Sequence, residues 1–86
     1  MSEHPKLVLE EEVMRFVLSL AATHRRRLLG HFDRLRSGQN LEPDFREQDR
    51  SGRWLSVQVN RPFLITYWLD SPVNELRIVD VEWVRS

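Results

Sequence analysis

The apolar residues of this chain change their spacing once, near residue 52, and that change limits what the chain can build. Before it they recur at helical intervals; after it they alternate. From about Glu10 to Leu20, Val13, Phe16, Val17 and Leu20 fall at i, i+3, i+4 and i+7, one stripe of a helix. Glu10, Glu11 and Glu12 stand at its start, where the positive end of the helix dipole favours carboxylates. Thr23 is placed to cap a second helix whose stripe is Leu28, Leu29, Phe32 and Leu35, and Ser37-Gly38 ends it. Only Ala21-Ala22 lies between the two, so the pair predicts a helical hairpin.

A polar connector, Gln39 to Gly52, leads to the alternating half. Arg53 to Val59 sends Leu55, Val57 and Val59 one way and Trp54, Ser56 and Gln58 the other. Asn60-Arg61-Pro62 reads as a hairpin turn, Phe63 to Leu69 as a β-branched and aromatic strand, and Asp70 to Asn74 as a second turn. Glu75 to Val84 is the third strand, with Val79, Val81 and Trp83 on one face and Ile78, Asp80 and Glu82 on the other. Lys6 to Leu9 fits either a short first strand or the approach to the first helix. The fold class expected is α+β: a helical hairpin packed on a three- to four-stranded antiparallel sheet, in the order β-α-α-β-β-β. Its expected core is Val13, Phe16, Leu20, Leu28, Phe32, Leu35, Leu55, Val57, Ile65, Val79 and Val81.

At 86 residues the chain has room for one such core, so 1–86 is expected to be a single domain. There is no cysteine, which removes disulfides and thiolate metal sites. His4, His24 and His31 are not spaced as a ligand set, and no Gly-rich phosphate loop or Ser–His–Asp pattern occurs; neither metal nor cofactor is expected. No apolar run approaches the length of a membrane span, and the polar start does not resemble an export signal, so a cytoplasmic protein is expected. The 13 basic and 13 acidic residues cancel, but residues 21–40 hold five arginines against Asp33 alone.

Several stretches taken in order carry a resemblance. Val8-Leu9-Glu10-Glu11-Glu12-Val13 opens the first helix, and His24-Arg25-Arg26-Arg27-Leu28-Leu29 with Phe32-Asp33-Arg34-Leu35 forms the second. Gly52-Arg53-Trp54-Leu55-Ser56-Val57, Phe63-Leu64-Ile65-Thr66-Tyr67 and Glu75-Leu76-Arg77-Ile78-Val79-Asp80-Val81 supply the strands. This series, spanning about residues 7–84, resembles the RelE/ParE superfamily of bacterial toxins. The resemblance implies the toxin of a type II toxin–antitoxin module, wrapped and neutralised by a small cognate antitoxin. In RelE-like members the fold cleaves mRNA in the ribosomal A site without a metal; in ParE-like members it acts on DNA gyrase. Departures from the RelE pattern are specific. Leu64 stands where an arginine usually precedes the [Ile/Val]-x-Tyr triplet, the chain end Glu82 to Ser86 has no Tyr or His, and paired lysines are missing.

Metal-free RNA cleavage needs a group to activate the 2′-hydroxyl, a cation for the phosphorane and a proton donor for the leaving oxygen. Arg53, Arg61 and Arg77, on or beside the three strands, are the candidates for the cationic role; each also fits an ordinary solvated arginine paired to a neighbour such as Asp49 or Glu75. Tyr67 fits an acid–base group or a core tyrosine, and Glu82 a general base or a surface carboxylate. Trp54 and Trp68 fit either an exposed partner-binding surface or two indoles packed on one another. Arg25 and Arg26, with Arg27, Arg34 and Arg36, make a basic helix surface suited to an acidic antitoxin or to nucleic acid, or to solvent alone.

Overall fold

The structure, a computed structural model, describes residues 4–38 and 42–84. The start of the expected connector, 39–41, and the chain ends at 1–3 and 85–86 lie outside the described residues. Along the chain run β1 (Lys6–Leu9), α1 (Glu11–Ser19), α2 (Ala22–Arg36), β2 (Phe45–Gln48), β3 (Trp54–Asn60), β4 (Phe63–Asp70), a 3-10 turn at Ser71–Val73 and β5 (Glu75–Trp83). The sheet order is β1-β5-β4-β3-β2, with β1 parallel to β5 and every other pair antiparallel. Two helices on a sheet is the expected class; the sheet itself has five strands and is mixed.

The short first strand and the one additional strand, β2, both have local causes. β1 lies beside β5, where Lys6 N–H donates to the Asn74 carbonyl and Glu10 N–H to that of Ile78. β2 forms inside the expected connector and pairs Phe45 with Val57 and Gln48 with Trp54. Its turn is organised by Asp49, whose Oδ1 accepts from Ser51 N (2.9 Å), Ser51 Oγ (2.6 Å) and Arg53 N (3.0 Å). Gly52 in that turn has φ +87°, which a side chain would strain.

α2 begins one residue before Thr23: Ala21 holds the N-cap position without a side-chain bond, so Thr23 is an ordinary helical residue. The junction is held from the other side. Arg25 reaches back to the α1 carbonyls, donating from Nη2 to Leu20 O (2.7 Å) and from Nε to Val17 O (3.3 Å). Carbonyls at a helix end lack the usual partner within the helix; that of Val17 also accepts from Leu20 N–H at 3.2 Å.

The helix-covered core comprises Val13, Val17 and Leu20 of α1 and its C-cap, Leu28 and Phe32 of α2, Phe63 and Ile65 of β4, and Leu76, Ile78 and Val81 of β5. Phe16 and Leu35 pack against it half-buried. Two parity expectations are corrected. In β5, Thr66 faces Asp80 but Tyr67 faces Ile78, so Val79 is an extra residue in a β-bulge. The bulge reverses the phase and puts Leu76, Ile78 and Val81 on one face, leaving Val79 half-buried between the phases. In β3, Gln58 pairs with core Ile65 and Val57 with Thr66. Directly opposed side chains share a face, so Ser56 and Gln58 look toward the helices, while Leu55, Val57 and Val59 lie on the open face. Leu55 and Val57 are buried there in register with Phe45, Glu47 and Thr66, outside the helix-covered core.

Phe32 and Leu28 have no exposed surface at all. Phe32→Ala should lower unfolding free energy by roughly 3–5 kcal/mol, read from urea titration. Gly30 sits mid-helix in α2, and a Cβ built there meets nothing within 4 Å. Gly30→Ala should therefore raise stability by about 0.5–1 kcal/mol, seen as a higher urea midpoint at unchanged slope.

Candidate functional site

The open face of the sheet brings two of the three candidate arginines together. Trp68 on β4 opposes Arg77 on β5, and the Arg53 guanidinium lies over its ring, 4.0 Å from the centroid, with that of Arg77 at 6.0 Å. An arginine on an indole face is attracted by the ring quadrupole while its N–H fork stays available at the edges. Both cations already have anionic neighbours. Arg77 pairs with Glu75 (2.7 Å) and Asp70 (3.5 Å), and Arg53 with Asp49 (3.8 Å). Arg61 stands apart, in the turn at the other end of β3 from Arg53, eight residues and so about 26 Å of strand away.

Toward the far end of this face the chemistry becomes acidic and apolar. Leu64 pairs with Glu82, and Thr66 with Asp80. Loss of hydration pushes the Asp80 carboxyl up, and negative Glu82, Glu12 and Glu47 add to the shift. Tyr67 projects to the opposite face, in register with Ser56 and Ile78, where burial pushes its phenol up. It lines an apolar groove of about 260 Å³ with Pro5, Leu35, Leu69 and Leu76.

The two tryptophans do not share a surface. Trp54 has the parity of Ser56 and Gln58, on the helix side, and is 61% exposed; Trp68 is half-buried on the open side under Arg53. They therefore neither stack on one another nor form one patch. Trp83, the third indole, closes a ring cluster with Phe16, His24 and Phe63, at centroid distances of 5.7, 5.3 and 5.1 Å. Of the helix arginines, Arg25 is committed to the carbonyls ending α1, whereas Arg26 is exposed and lines a hollow beside α2.

That hollow is built around a buried polar pair, His31 and Gln58. The Gln58 amide donates to the Glu42 carbonyl (3.0 Å), which leaves its Oε1 to accept from His31 Nε2 at 2.6 Å. The proton therefore sits on Nε2, and Nδ1 is free to accept from Arg34 Nη2 at 3.1 Å. Burial lowers the affinity of His31 for a second proton; the Gln58 bond opposes this, and the charges of Arg34 and Arg27 reinforce it. Spacing alone had excluded His31 as a metal ligand and given it no other task. Its place three residues after Leu28, inside the apolar stripe, was the available signal of a buried polar partner. Among the described residues no group of three or more His, Asp or Glu side chains is arranged to hold a metal ion, and no helix is long and apolar enough to cross a membrane.

Because folding depresses the His31 pKa, the unfolded chain takes up the proton first. Stability present above about pH 6.5 should fall as pH is lowered through and below that value. Melting temperatures measured from pH 7.5 downward should show this slope, and it should flatten in His31→Gln; an unchanged slope would remove His31 from the account.

No family model matches the chain, and no curated protein aligns with it. Solved structures do match. A chain of the archaeal RelE–RelB complex from Pyrococcus horikoshii OT3 superposes with a TM-score of 0.74 at 15% identity, covering 94% of this chain and 96% of that one. The isolated RelE toxin of E. coli superposes with a TM-score of 0.67 at 14% identity, covering 95% of this chain and 86% of that one. At such low identity the backbone path is what the proteins share: two helices on a mixed sheet, in the fold of the RelE toxins.

Proposed function

We propose that this protein is the toxin of a type II toxin–antitoxin pair in the cytoplasm, held inactive by a small antitoxin protein, and that it acts by binding its target without cutting RNA. The antitoxin is supported by the RelE fold, seen in one similar structure together with RelB, and by surface left uncovered on the helix side. Trp54 and Leu69 are exposed there, and the groove at Leu35, Tyr67 and Leu76 is lined mainly by apolar groups. An aromatic anchor entering or covering such a groove is the usual centre of a protein interface.

The observation that carries binding over cleavage is the composition of the open face. Its two gathered cations are each paired to carboxylates, and the remaining carboxylates of that face, Asp80 and Glu82, lie further along the sheet, opposite Thr66 and Leu64. Arginine, with a pKa above about 12, is a poor proton donor. Tyr67 is on the other face. A second reading, ribosome-dependent mRNA cleavage, draws on Arg53 and Arg77 flanking Trp68, an indole on which a base can stack. A ParE-like target such as DNA gyrase belongs to the first reading.

Co-expression with the product of an adjoining small open reading frame, followed by pull-down, should recover a complex; recovery of this chain alone counts against the antitoxin. Trp54→Ala should weaken that complex by about 30-fold, the effect of truncating an interface anchor of ~2 kcal/mol. Induction should slow growth without codon-specific mRNA cuts. Cuts in ribosome-containing extract that vanish in Arg77→Ala would transfer the assignment to the ribonuclease.

A further inference from the structure

The hollow beside α2 is separate from the open face and has an electrostatic character of its own. Arg26, Arg27, Gly30, His31, Arg34 and Asn60 enclose about 400 Å³, and an adjoining hollow of about 410 Å³ shares His31, Arg34 and Asn60 and extends to Arg61. Arg27, His31 and Arg34 fall at i, i+4 and i+7, one face of the helix. Among the described residues, every ion pair found involves Arg15, Arg36, Arg53 or Arg77. Among the described residues Arg26, Arg27 and Arg61 make no ion pair and no side-chain hydrogen bond, and the one side-chain partner of Arg34 is a neutral imidazole. Glu42 and Asp44 approach the Arg61 end, but neither pairs with it, and Asp44 Oδ2 is occupied by Val59 N at 2.6 Å.

The floor is rigid and the mouth open. His31 is tied to β3 through Gln58 and presents Nδ1 to Arg34, which orients that guanidinium without neutralising it. A protonated imidazole would repel the same arginine, and the lowered pKa of His31 is consistent with this arrangement. Gly30, facing the hollow, contributes no side chain, and open space lies where its Cβ would be.

The number of cations decides among anions. Arg26, Arg27 and Arg34 line one hollow and Arg61 the adjoining one. Four guanidinium groups without a carboxylate partner carry more charge than one carboxylate or one free phosphate neutralises, whereas a nucleic-acid strand carries a phosphate every ~3.4 Å of its rise. Arginine's planar fork matches phosphate oxygens in pairs. No aromatic side chain lines the hollow, so bases are not gripped.

We infer that Arg26, Arg27, Arg34 and Arg61 form a sequence-independent binding site for the phosphodiester backbone of a nucleic-acid strand. The site does not depend on the toxin reading, since it is assayed by binding alone and lies on the other side of the sheet from Arg53 and Arg77.

Fluorescence anisotropy with labelled single-stranded RNA and DNA of about 12 nucleotides tests it across a salt series. Wild-type protein should bind both. Arg26→Ala combined with Arg27→Ala should weaken binding at least about tenfold and lower the log–log salt slope by about 1.5, the counterions of two phosphates. Gly30→Leu, which fills the hollow and removes no charge, should also weaken binding without lowering the melting temperature. Arg15→Ala with Arg50→Ala, removing two arginines elsewhere, should stay within about twofold of wild type. The site is refuted if wild type fails to bind at low salt, if the Arg26/Arg27 variant binds normally, or if the control pair loses as much. It is equally refuted if Gly30→Leu binds normally, if a polyglutamate peptide binds more tightly than the oligonucleotides, marking a protein partner, or if inorganic phosphate competes as well per phosphate as the oligonucleotide.

Discussion

Leu28 and Phe32 are completely enclosed, and the surface that encloses them depends on one extra residue in β5. Val79 bulges opposite Thr66 and Tyr67, so Leu76 and Ile78 before the bulge and Val81 after it look the same way. Without the bulge a strict period of two would send either Ile78 or Val81 to the open face, and the helix-side layer would lose a branched side chain from its centre. β5 pairs with both β4 and β1, so its phase also fixes which way Leu7 and Leu9 point: both lie in register with Leu76 and Ile78 and pack against the core.

The helices are fastened to this layer by polar bonds as well as by burial. Arg25 satisfies carbonyls at the end of α1 from within α2, and the His31–Gln58 pair joins α2 to β3. Each buries hydrogen-bonding groups that would cost free energy if left unmatched, so each makes one helix placement much better than its near neighbours. The same two fastenings sort the arginines of α2. Arg25 is turned inward, Arg34 is turned toward His31, and Arg26 and Arg27 are left on the outer flank.

A net charge of zero therefore hides a spatial separation. The arginines of the open face sit among Asp49, Asp70 and Glu75, whereas Arg26, Arg27, Arg34 and Arg61 have no carboxylate bound to them among the described residues. Phosphate recognition depends on local unpaired cations more than on the total, so a neutral chain can still carry a site of one sign. On the open face the Arg53 guanidinium lies over Trp68 and the partly dehydrated Asp80 stands beside Thr66, so charge is set beside apolar ground.

The helical stripes Val13–Val17–Leu20 and Leu28–Phe32–Leu35 were legible in the sequence because local spacing determines which residues of a helix share a face, whatever it packs on. The β3–β4 and β4–β5 turns were legible too, since Pro62 and the run 70–74 interrupt the strands for steric reasons intrinsic to the chain. β2 was hidden: a four-residue exposed edge strand, Phe-Arg-Glu-Gln, needs little apolar surface, and only the Asp49 to Gly52 turn beside it betrays the hairpin. Which face of β3 meets the helices was also beyond the sequence. Alternation gives two sets of residues but not the side each takes, and here the buried Gln58 wins the helix side because His31 waits there to pair with it. That Arg53 and Arg77 meet over Trp68 while Arg61 does not, that Trp54 and Trp68 part to opposite faces, and that Val79 bulges were all decided by strand register, a relation between segments up to tens of residues apart. The sequence alone determined which residues lie along a helix or a strand; register and packing, being interactions across the chain, decided which of them meet.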